Sequence, residues 1–107
     1  MVSKIDMADV IDSLSEPWSP VDIVYVNDQV LRVALFDGSY HWHKHDDEDE
    51  LFFVYRGDIR IVMENETVQL EEGQLCVIPR GVLHKPEADI PSVVLLFEPS
   101  KLKSVGD

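Results

Sequence analysis

The chain has 107 residues, 21 acidic and 9 basic, so its formal net charge is −12 at pH 7. A chain of this length is expected to fold as one domain, and its negative charge disfavours DNA, RNA and anionic membranes as partners, because all three attract clustered Lys and Arg. The longest apolar runs, such as Val93–Phe97, are far shorter than the roughly 20 residues that cross a bilayer.

The start of the chain predicts one short helix. An apolar stripe at spacings of three, four and seven residues runs through Asp6–Leu14. Asp6 is a candidate N-cap, and Pro17 and Pro20 end the helical pattern soon after it. We expect the helix to pack as an amphipathic lid on the outside of a larger body, a contact between two copies being the alternative. The stripe consists of Met7, Val10, Ile11 and Leu14.

The N-terminal residues and the cysteine content indicate a compartment. Met1–Val10 carries neither the basic flank nor the apolar stretch of a secretory signal. Cys76 is the one cysteine, so no internal disulfide can form, which suits a reducing cytoplasm. We therefore expect a cytoplasmic protein, in which Cys76 is a packing residue of an apolar strand rather than a nucleophile.

From Val21 onward the sequence consists of about nine short β-rich runs separated by turn signals such as Asn27-Asp28 and Asp37-Gly38. No connection is long enough for a crossover helix, so the sequence predicts an all-β, antiparallel sandwich or barrel over 21–99. Residues 1–20 form a helix and linker packed on it, and 100–107 form a polar tail that frays. The predicted strands are Val21–Val26, Gln29–Phe36, Ser39–His45, Leu51–Tyr55, Ile59–Met63, Thr67–Leu70, Gln74–Ile78, Val82–Lys85 and Ser92–Phe97.

Three of the four histidines fall within five residues. Because side chains alternate along a strand, His41, His43 and His45 are expected to face the same side. The residues expected on the opposite side are Tyr40, Trp42 and Lys44.

Glu50 and the fourth histidine, His84, lie at two other places in the predicted barrel. Glu50 follows His45 by five residues and begins an apolar strand, and His84 follows a Pro-x-Gly turn. Neutral imidazole and carboxylate bind divalent transition metals, and such groups are costly to bury without partners. The residues alone leave a metal site and a structural use of the histidines equally open. The aromatic residues with the opposite parity, predicted to fill space between sheets or at a subunit contact, are Trp42, Phe53 and Tyr55.

The chain resembles the small single-domain cupins, and the first cupin motif is legible around these histidines. In that family the motif reads Gly, a short gap, H-x-H, three or four residues, Glu, six residues, Gly. Here Gly38 opens it, His43-Lys44-His45 supplies H-x-H, and Glu50 and Gly57 follow at the family's spacing. The one departure is the opening gap, which has four residues rather than the usual five.

The second cupin motif reads Gly, five residues, P-x-G, two residues, His, three residues, Asn. Here Gly73, Pro79-Arg80-Gly81 and His84 fall in register, and Ala88 stands where Asn is usual. Since Ala88 does not replace a ligand position, the family's four ligand positions remain filled. Such small chains are often called mannose-6-phosphate isomerase-like, which is a resemblance in fold and not a sign of that substrate.

The resemblance implies an antiparallel double-stranded β-helix, the jelly-roll cupin barrel, with one short N-terminal helix. By the same resemblance His43, His45, Glu50 and His84 bind one divalent transition metal, which is Fe, Mn, Ni, Zn, Co or Cu. It also implies a homodimer, in which pairing covers the exposed sheet edges.

Two functions follow from the resemblance, and a third remains open. The first is a metal-dependent enzyme of the oxygenase or isomerase type that acts on a small organic molecule, with His41 as a catalytic acid–base residue beside the metal. His41 is equally interpreted as a rim residue that hydrogen-bonds to a ligand. The second function is a non-catalytic, metal-containing module that binds or senses a small molecule. The third is a structural barrel without metal.

Overall fold

The helix predicted near the start of the chain is present as α1, Met7–Asp12, in the computed structural model, which describes residues 1–107. Its N-cap is Asp6, whose side chain accepts a hydrogen bond from the backbone N–H of Ala8. Ile11 on its inner face is buried together with Val33 and Val93 of the sheet, so α1 packs against the outer face of β2 and β7. No helix in the structure has the length and apolarity needed to cross a bilayer.

Seven strands follow α1, and every pairing between them is antiparallel, as predicted. The order along the main path of the sheet is β1-β2-β7-β3-β6, and β4 pairs with both β5 and β7. The long strand β7 therefore joins β2, β3 and β4 and closes the jelly roll. The strands are β1 (Val21–Val26), β2 (Gln29–Ser39), β3 (Glu50–Arg56), β4 (Asp58–Met63), β5 (Thr67–Glu71), β6 (Leu75–Ile78) and β7 (His84–Pro99).

Two predicted breaks, at Gly38 and Pro86, are wrong. About nine predicted strands become seven because β7 unites the last two of them and because the predicted strand Ser39–His45 forms no separate strand. At Gly38 the chain does not turn back: β2 continues through a register shift between Phe36 and Gly38, where glycine takes a φ of +82°. At Pro86 the strand also continues. The Pro86 carbonyl accepts a hydrogen bond from the N–H of Tyr40, so the hydrogen-bonding side of the Pro86 backbone faces an irregular segment and not β4. Because proline lacks an N–H only on that side, the pairing of β7 with β4 loses no hydrogen bond.

The predicted strand Ser39–His45 is also mostly irregular. Of its residues only Ser39 belongs to β2, and the rest of the segment forms a single antiparallel bridge between His43 and His84. Backbone hydrogen bonds from Tyr40 and His43 hold this segment beside the start of β7. The hydrophobic core consists of Ala34, Phe36, Phe52, Val54, Ile59, Ile61, Leu70, Ile78, Ala88, Val94 and Leu96.

The polar tail, predicted to fray, is docked in the structure. The Leu102 side chain is only 3% exposed. The guanidinium of Arg32 donates to the carbonyls of Leu102 and Ser100, both at 3.0 Å. Farther on, the backbone N–H of Asp107 donates to the carbonyl of Lys44 at 2.9 Å. A buried leucine and these backbone bonds, which the polar composition does not reveal, hold the tail against the irregular segment.

Candidate metal centre

The structure brings together the four side chains that the sequence placed in one cluster. Each offers one ligand atom, and the four atoms lie within 4.8 Å of one another. All four side chains are buried. The metal cluster, as we name this group, consists of His43, His45, Glu50 and His84.

The ends of two strands and the irregular segment position the metal cluster. Glu50 is the first residue of β3 and His84 the first of β7. His43 and His84 exchange two backbone hydrogen bonds, at 3.0 and 2.9 Å, and the carbonyl of His45 accepts from the N–H of Gly81 at 2.7 Å. The ligand segment is therefore tied by its backbone to the chain around His84, although it forms no regular strand.

Hydrogen bonds orient two of the imidazole rings. Nδ1 of His43 lies 3.0 Å from the carbonyl of His41, and Nδ1 of His84 lies 2.9 Å from the carbonyl of Val82. Because a carbonyl can only accept, each Nδ1 must carry the proton. The other nitrogen of each ring, Nε2, then has its lone pair free for a metal.

Several atoms of the metal cluster are buried without a hydrogen-bond partner. They include Nε2 of His45, Nε2 of His84 and Oε1 of Glu50. The two nitrogens lie 3.3 and 3.7 Å from that oxygen. Leaving one such group unsatisfied costs about 1–3 kcal/mol, so three converging groups call for a shared partner. A divalent metal satisfies all three at once, and the residues present therefore fit one.

Burial and neighbouring side chains keep two members of the metal cluster, His43 and Glu50, in protonation states that suit a metal. Burial lowers the pKa of His43 to about 4, so its imidazole is neutral at pH 7. Burial by itself would raise the pKa of Glu50, but the adjacent imidazoles of His45 and His84 outweigh it and hold that pKa far below its usual range. Neutral imidazole and ionised carboxylate are the forms that bind metals.

A further acid behind Glu50 was not found from the sequence. Glu98 in β7 is 1% exposed, and its Oε2 pairs with Nη1 of Arg32 at 2.5 Å. Burial and the neighbouring Glu50 raise the pKa of Glu98 above its usual range. Its one sequence signal is that it directly follows the apolar run Val93–Phe97, with the same parity as the buried Leu96.

An apolar cavity opens beside the metal cluster. Its volume is about 350 Å³, including the part open to solvent, and its polar lining residues are Tyr40, His43, Glu50 and Ser104. Trp18 forms part of the apolar wall, with its ring centroid 4.4 Å from that of Phe36 and 4.8 Å from that of Tyr40. The indole N–H donates to the carbonyl of Asp37 at 3.0 Å, so Trp18 pins the linker to the barrel.

Tyr40 and His41 lie in places that strand parity did not predict. Tyr40, expected on the side opposite the histidines, lines the cavity because the chain leaves the ladder after Ser39. His41 is exposed and does not line the cavity; its Nε2 lies 2.8 Å from the carbonyl of Val105 in the tail. Its ring centroid remains 5.3 Å from that of His43. The catalytic role of His41 stays a prediction.

The remaining side chains singled out from the sequence lie outside the metal cluster. Trp42 is exposed beneath Lys85, whose Nζ is 5.4 Å from the ring centroid. Phe53 is half-buried and Tyr55 exposed, both on the β3 face opposite Glu50. Cys76 packs against the core and burial raises its pKa, so its thiol is protonated and packs as predicted.

Comparisons with known proteins agree with this architecture. The Cupin_2 family, described as a cupin domain, matches residues 32–97. The "Uncharacterized protein YdbB" of Bacillus subtilis is 33% identical over 97 residues, which cover 90% of this chain and 86% of that protein. A crystal structure of a cupin-2 domain containing protein from Shewanella frigidimarina is 34% identical with a TM-score of 0.87, covering 89% of this chain and 93% of that one. The structure of KdgF from Halomonas sp. is 27% identical with a TM-score of 0.67, covering 75% and 78%.

Proposed function

This chain belongs to the Cupin_2 family, and we propose that it holds one divalent transition metal and acts as a metal-dependent enzyme on a small organic molecule. The observation that carries the proposal is the metal cluster, whose unpartnered atoms converge beside an apolar cavity. Imidazole and carboxylate donors suit Fe, Mn, Ni, Zn, Co and Cu. In a five- or six-coordinate ion, four protein ligands leave one or two coordination positions open for a substrate, and open positions distinguish a working metal site from a structural one.

The surroundings of the metal cluster define what each residue contributes. Bound there, the metal supplies a Lewis acid for an oxygen of the substrate. His43 and His84 are held by their Nδ1 bonds, so their Nε2 atoms need little reorganisation. Trp18 excludes water and receives the apolar part of the substrate. Burial and the charge of Glu50 raise the pKa of the Tyr40 phenol, which therefore stays protonated as a donor at the cavity wall.

The lining of the cavity indicates the class of molecule. No Lys or Arg lines it, so a phosphate or another strongly anionic group away from the proposed metal would lack the cation that usually recognises it. Aromatic and aliphatic side chains form most of its wall. We therefore propose a compact, largely apolar substrate with one metal-binding oxygen, transformed by oxygenase or isomerase chemistry.

His41 remains our candidate for an acid–base residue at the rim. Its Nε2 must donate to the Val105 carbonyl, which leaves Nδ1 as an acceptor. Its ring centroid lies 4.0 Å from that of Tyr40, the phenol that lines the cavity. This neighbourhood supports a role for His41 in passing protons to or from the cavity wall.

A second candidate function is a metal-containing module that binds or senses a small molecule without turnover. The observation that favours it is the composition of the cavity wall. The only imidazole and carboxylate there are His43 and Glu50, which are themselves metal ligands in this proposal. To separate the two functions, the metal-loaded protein is incubated with a mixture of small metabolites and followed by NMR. Consumption of a compound supports the enzyme, whereas saturable line broadening without consumption supports the module.

Metal analysis of the protein, purified without added metal or chelator, tests the site itself. We expect about one transition-metal ion per chain in the wild type and its loss in His43→Ala and His84→Ala. His41→Ala is the matched control, because it removes a histidine from the same segment but outside the metal cluster, and it should keep the ion. A wild type that stays metal-free after reconstitution with iron, nickel, manganese and zinc would refute the proposal.

We also propose that the chain is a homodimer in the cytoplasm, where its single cysteine stays reduced. Support for the dimer comes from two rows of uncharged, apolar residues that are paired across neighbouring strands. We name these two rows the outer apolar face. Because each copy carries a charge of −12, an uncharged face is where two copies can approach. The rows are Leu31–Phe97–Leu51–Val77 and Leu95–Phe53–Leu75.

A further inference from the structure

The three histidines of the metal cluster are not held alike. Nδ1 of His43 and Nδ1 of His84 each bond to the carbonyl two residues earlier in the chain. For His45 the equivalent carbonyl is that of His43, which accepts from the backbone N–H of His84. Nδ1 of His45 has no partner, although this residue is only 2% exposed. The third histidine thus lacks the bond that orients the other two.

Two carboxylates outside the metal cluster lie beside His45. A ring nitrogen of His45 and oxygens of Glu48 and Asp107 lie within 4.8 Å of one another. Nε2 of His45 is directed toward Glu50, whose Oε1 lies 3.3 Å away. Nδ1 is therefore the nitrogen available to the two outer carboxylates. A hydrogen bond to one of them requires a side-chain rotation that shortens the separation, at most 4.8 Å, to about 3 Å.

The two carboxylates differ in what they already bind. Oδ2 of Asp107 accepts from the backbone N–H of Asp46 at 2.7 Å, and the N–H of Asp107 donates to the carbonyl of Lys44. These bonds grip the backbone on both sides of His45. Glu48 is 8% exposed yet makes no hydrogen bond, and its nearest cation, the exposed Lys101, is 3.8 Å away. A glutamate that is 8% exposed and whose carboxylate makes no hydrogen bond therefore lies beside a buried imidazole nitrogen that has no acceptor.

We propose that Glu48 is a positioning residue for the metal ligand His45, its carboxylate accepting the Nδ1–H of His45 so that Nε2 is directed to the metal. The inference rests on the proposed metal site. A carboxylate on the far side of a metal-binding imidazole fixes its tautomer and raises its basicity, and losing such a partner typically lowers metal affinity about 10–100-fold. Asp107 keeps His45 and Glu48 adjacent by holding the backbone between them.

The test measures Zn²⁺ and Co²⁺ affinity by competition with a chelator. Glu48→Ala should weaken both about 10–100-fold. Glu48→Gln should lose less, because an amide oxygen still accepts a hydrogen bond. Asp47→Asn is the matched control, because it also removes one negative charge, from an exposed side chain next to Glu48 in the sequence. Its metal affinity should stay close to that of the wild type. In the Co²⁺-loaded protein the shifted proton signal of His45 Nδ1–H should exchange slowly with water in wild type and rapidly in Glu48→Ala.

Each outcome separates the alternatives. Equal weakening by Asp47→Asn and the Glu48 variants would show a general charge effect and overturn the inference, as would unchanged affinity in Glu48→Ala. If Glu48→Ala does not fold, the comparison is made between Glu48→Gln and Asp47→Asn. A lower metal affinity of Glu48→Gln supports the proposal, and equal metal affinities overturn it. Two ions per wild-type chain would show that Glu48 and Asp107 bind a second cation instead. A wild type that binds no metal overturns the proposed function, and the inference with it.

Discussion

Gly57 and Gly73, one from each cupin motif, are glycines for different physical reasons, and alanine at each position tests this. Both have positive φ, +105° and +84°, so alanine costs about 1–2 kcal/mol of backbone strain at either place. At Gly73 an added Cβ meets nothing within 4 Å. At Gly57 it lies 2.3 Å from Oγ, 2.7 Å from Cβ and 2.9 Å from Cα of Ser92. Carbon contacts are comfortable only at about 3.5–4.0 Å, so β7 must move by about 1 Å.

The movement at Gly57 has a further cost because Ser92 is fully buried and bonded. Its Oγ lies 3.1 Å from the N–H and 3.2 Å from the carbonyl of Asp58. Overpacking costs about 1–3 kcal/mol and a lost hydrogen bond about 1 kcal/mol. Gly57→Ala should therefore lower the free energy of unfolding by about 3–6 kcal/mol, against about 1–2 kcal/mol for Gly73→Ala.

Urea unfolding followed by Trp18 and Trp42 fluorescence measures both variants. Ser92→Gly in the Gly57→Ala background removes the two closest atoms, so the double variant should recover about 1–3 kcal/mol of coupling energy. Equal destabilisation by Gly57→Ala and Gly73→Ala, within about 0.5 kcal/mol, would refute the steric argument.

Three further predictions concern the metal cluster and the outer apolar face. Because burial lowers the pKa of His43 to about 4, the metal-free folded state binds fewer protons than the unfolded chain between pH 6.5 and 4. Its stability should fall by about 2 kcal/mol as the pH drops to 5. Urea unfolding in EDTA measures this fall as the difference in free energy of unfolding between wild type and His43→Asn at each pH. A difference that does not change with pH would contradict the prediction. Free Zn²⁺ at about 100 times its dissociation constant should add about 2.7 kcal/mol, seen as a higher unfolding temperature that EDTA abolishes; an unchanged temperature would count against the metal site. Val77→Lys should convert the proposed dimer to a monomer in light scattering, whereas Ile90→Lys, similarly exposed but outside the two rows, should leave it dimeric. A Val77→Lys protein that is still a dimer would exclude this face.

The sequence predicted the elements of the fold wherever local chemistry decides them. The apolar stripe and Asp6 located α1, because the N-cap hydrogen bond joins residues only two positions apart in the sequence. The breaks at Gly38 and Pro86 were misjudged because both residues have two uses. Glycine permits a bulge as readily as a turn, and proline is tolerated in a strand when its backbone edge faces away from the neighbouring strand. Which use applies depends on partner strands that are distant in the sequence.

The metal cluster shows where side-chain parity holds and where it fails. His43 and His45 converge with His84 although the segment is mostly irregular, because His43 is bridged to His84 by two backbone bonds and the His45 carbonyl is fixed by Gly81. Outside this short pairing no ladder enforces alternation, so Tyr40 turns into the cavity and His41 toward the tail. The motif spacing locates the ligands because it encodes that pairing. The residues around the ligands come from the tail, the linker and β7, whose approach only the complete fold determines. Substitutions in the tail should therefore change how the side chains of the metal cluster are positioned, although none of those side chains is itself replaced.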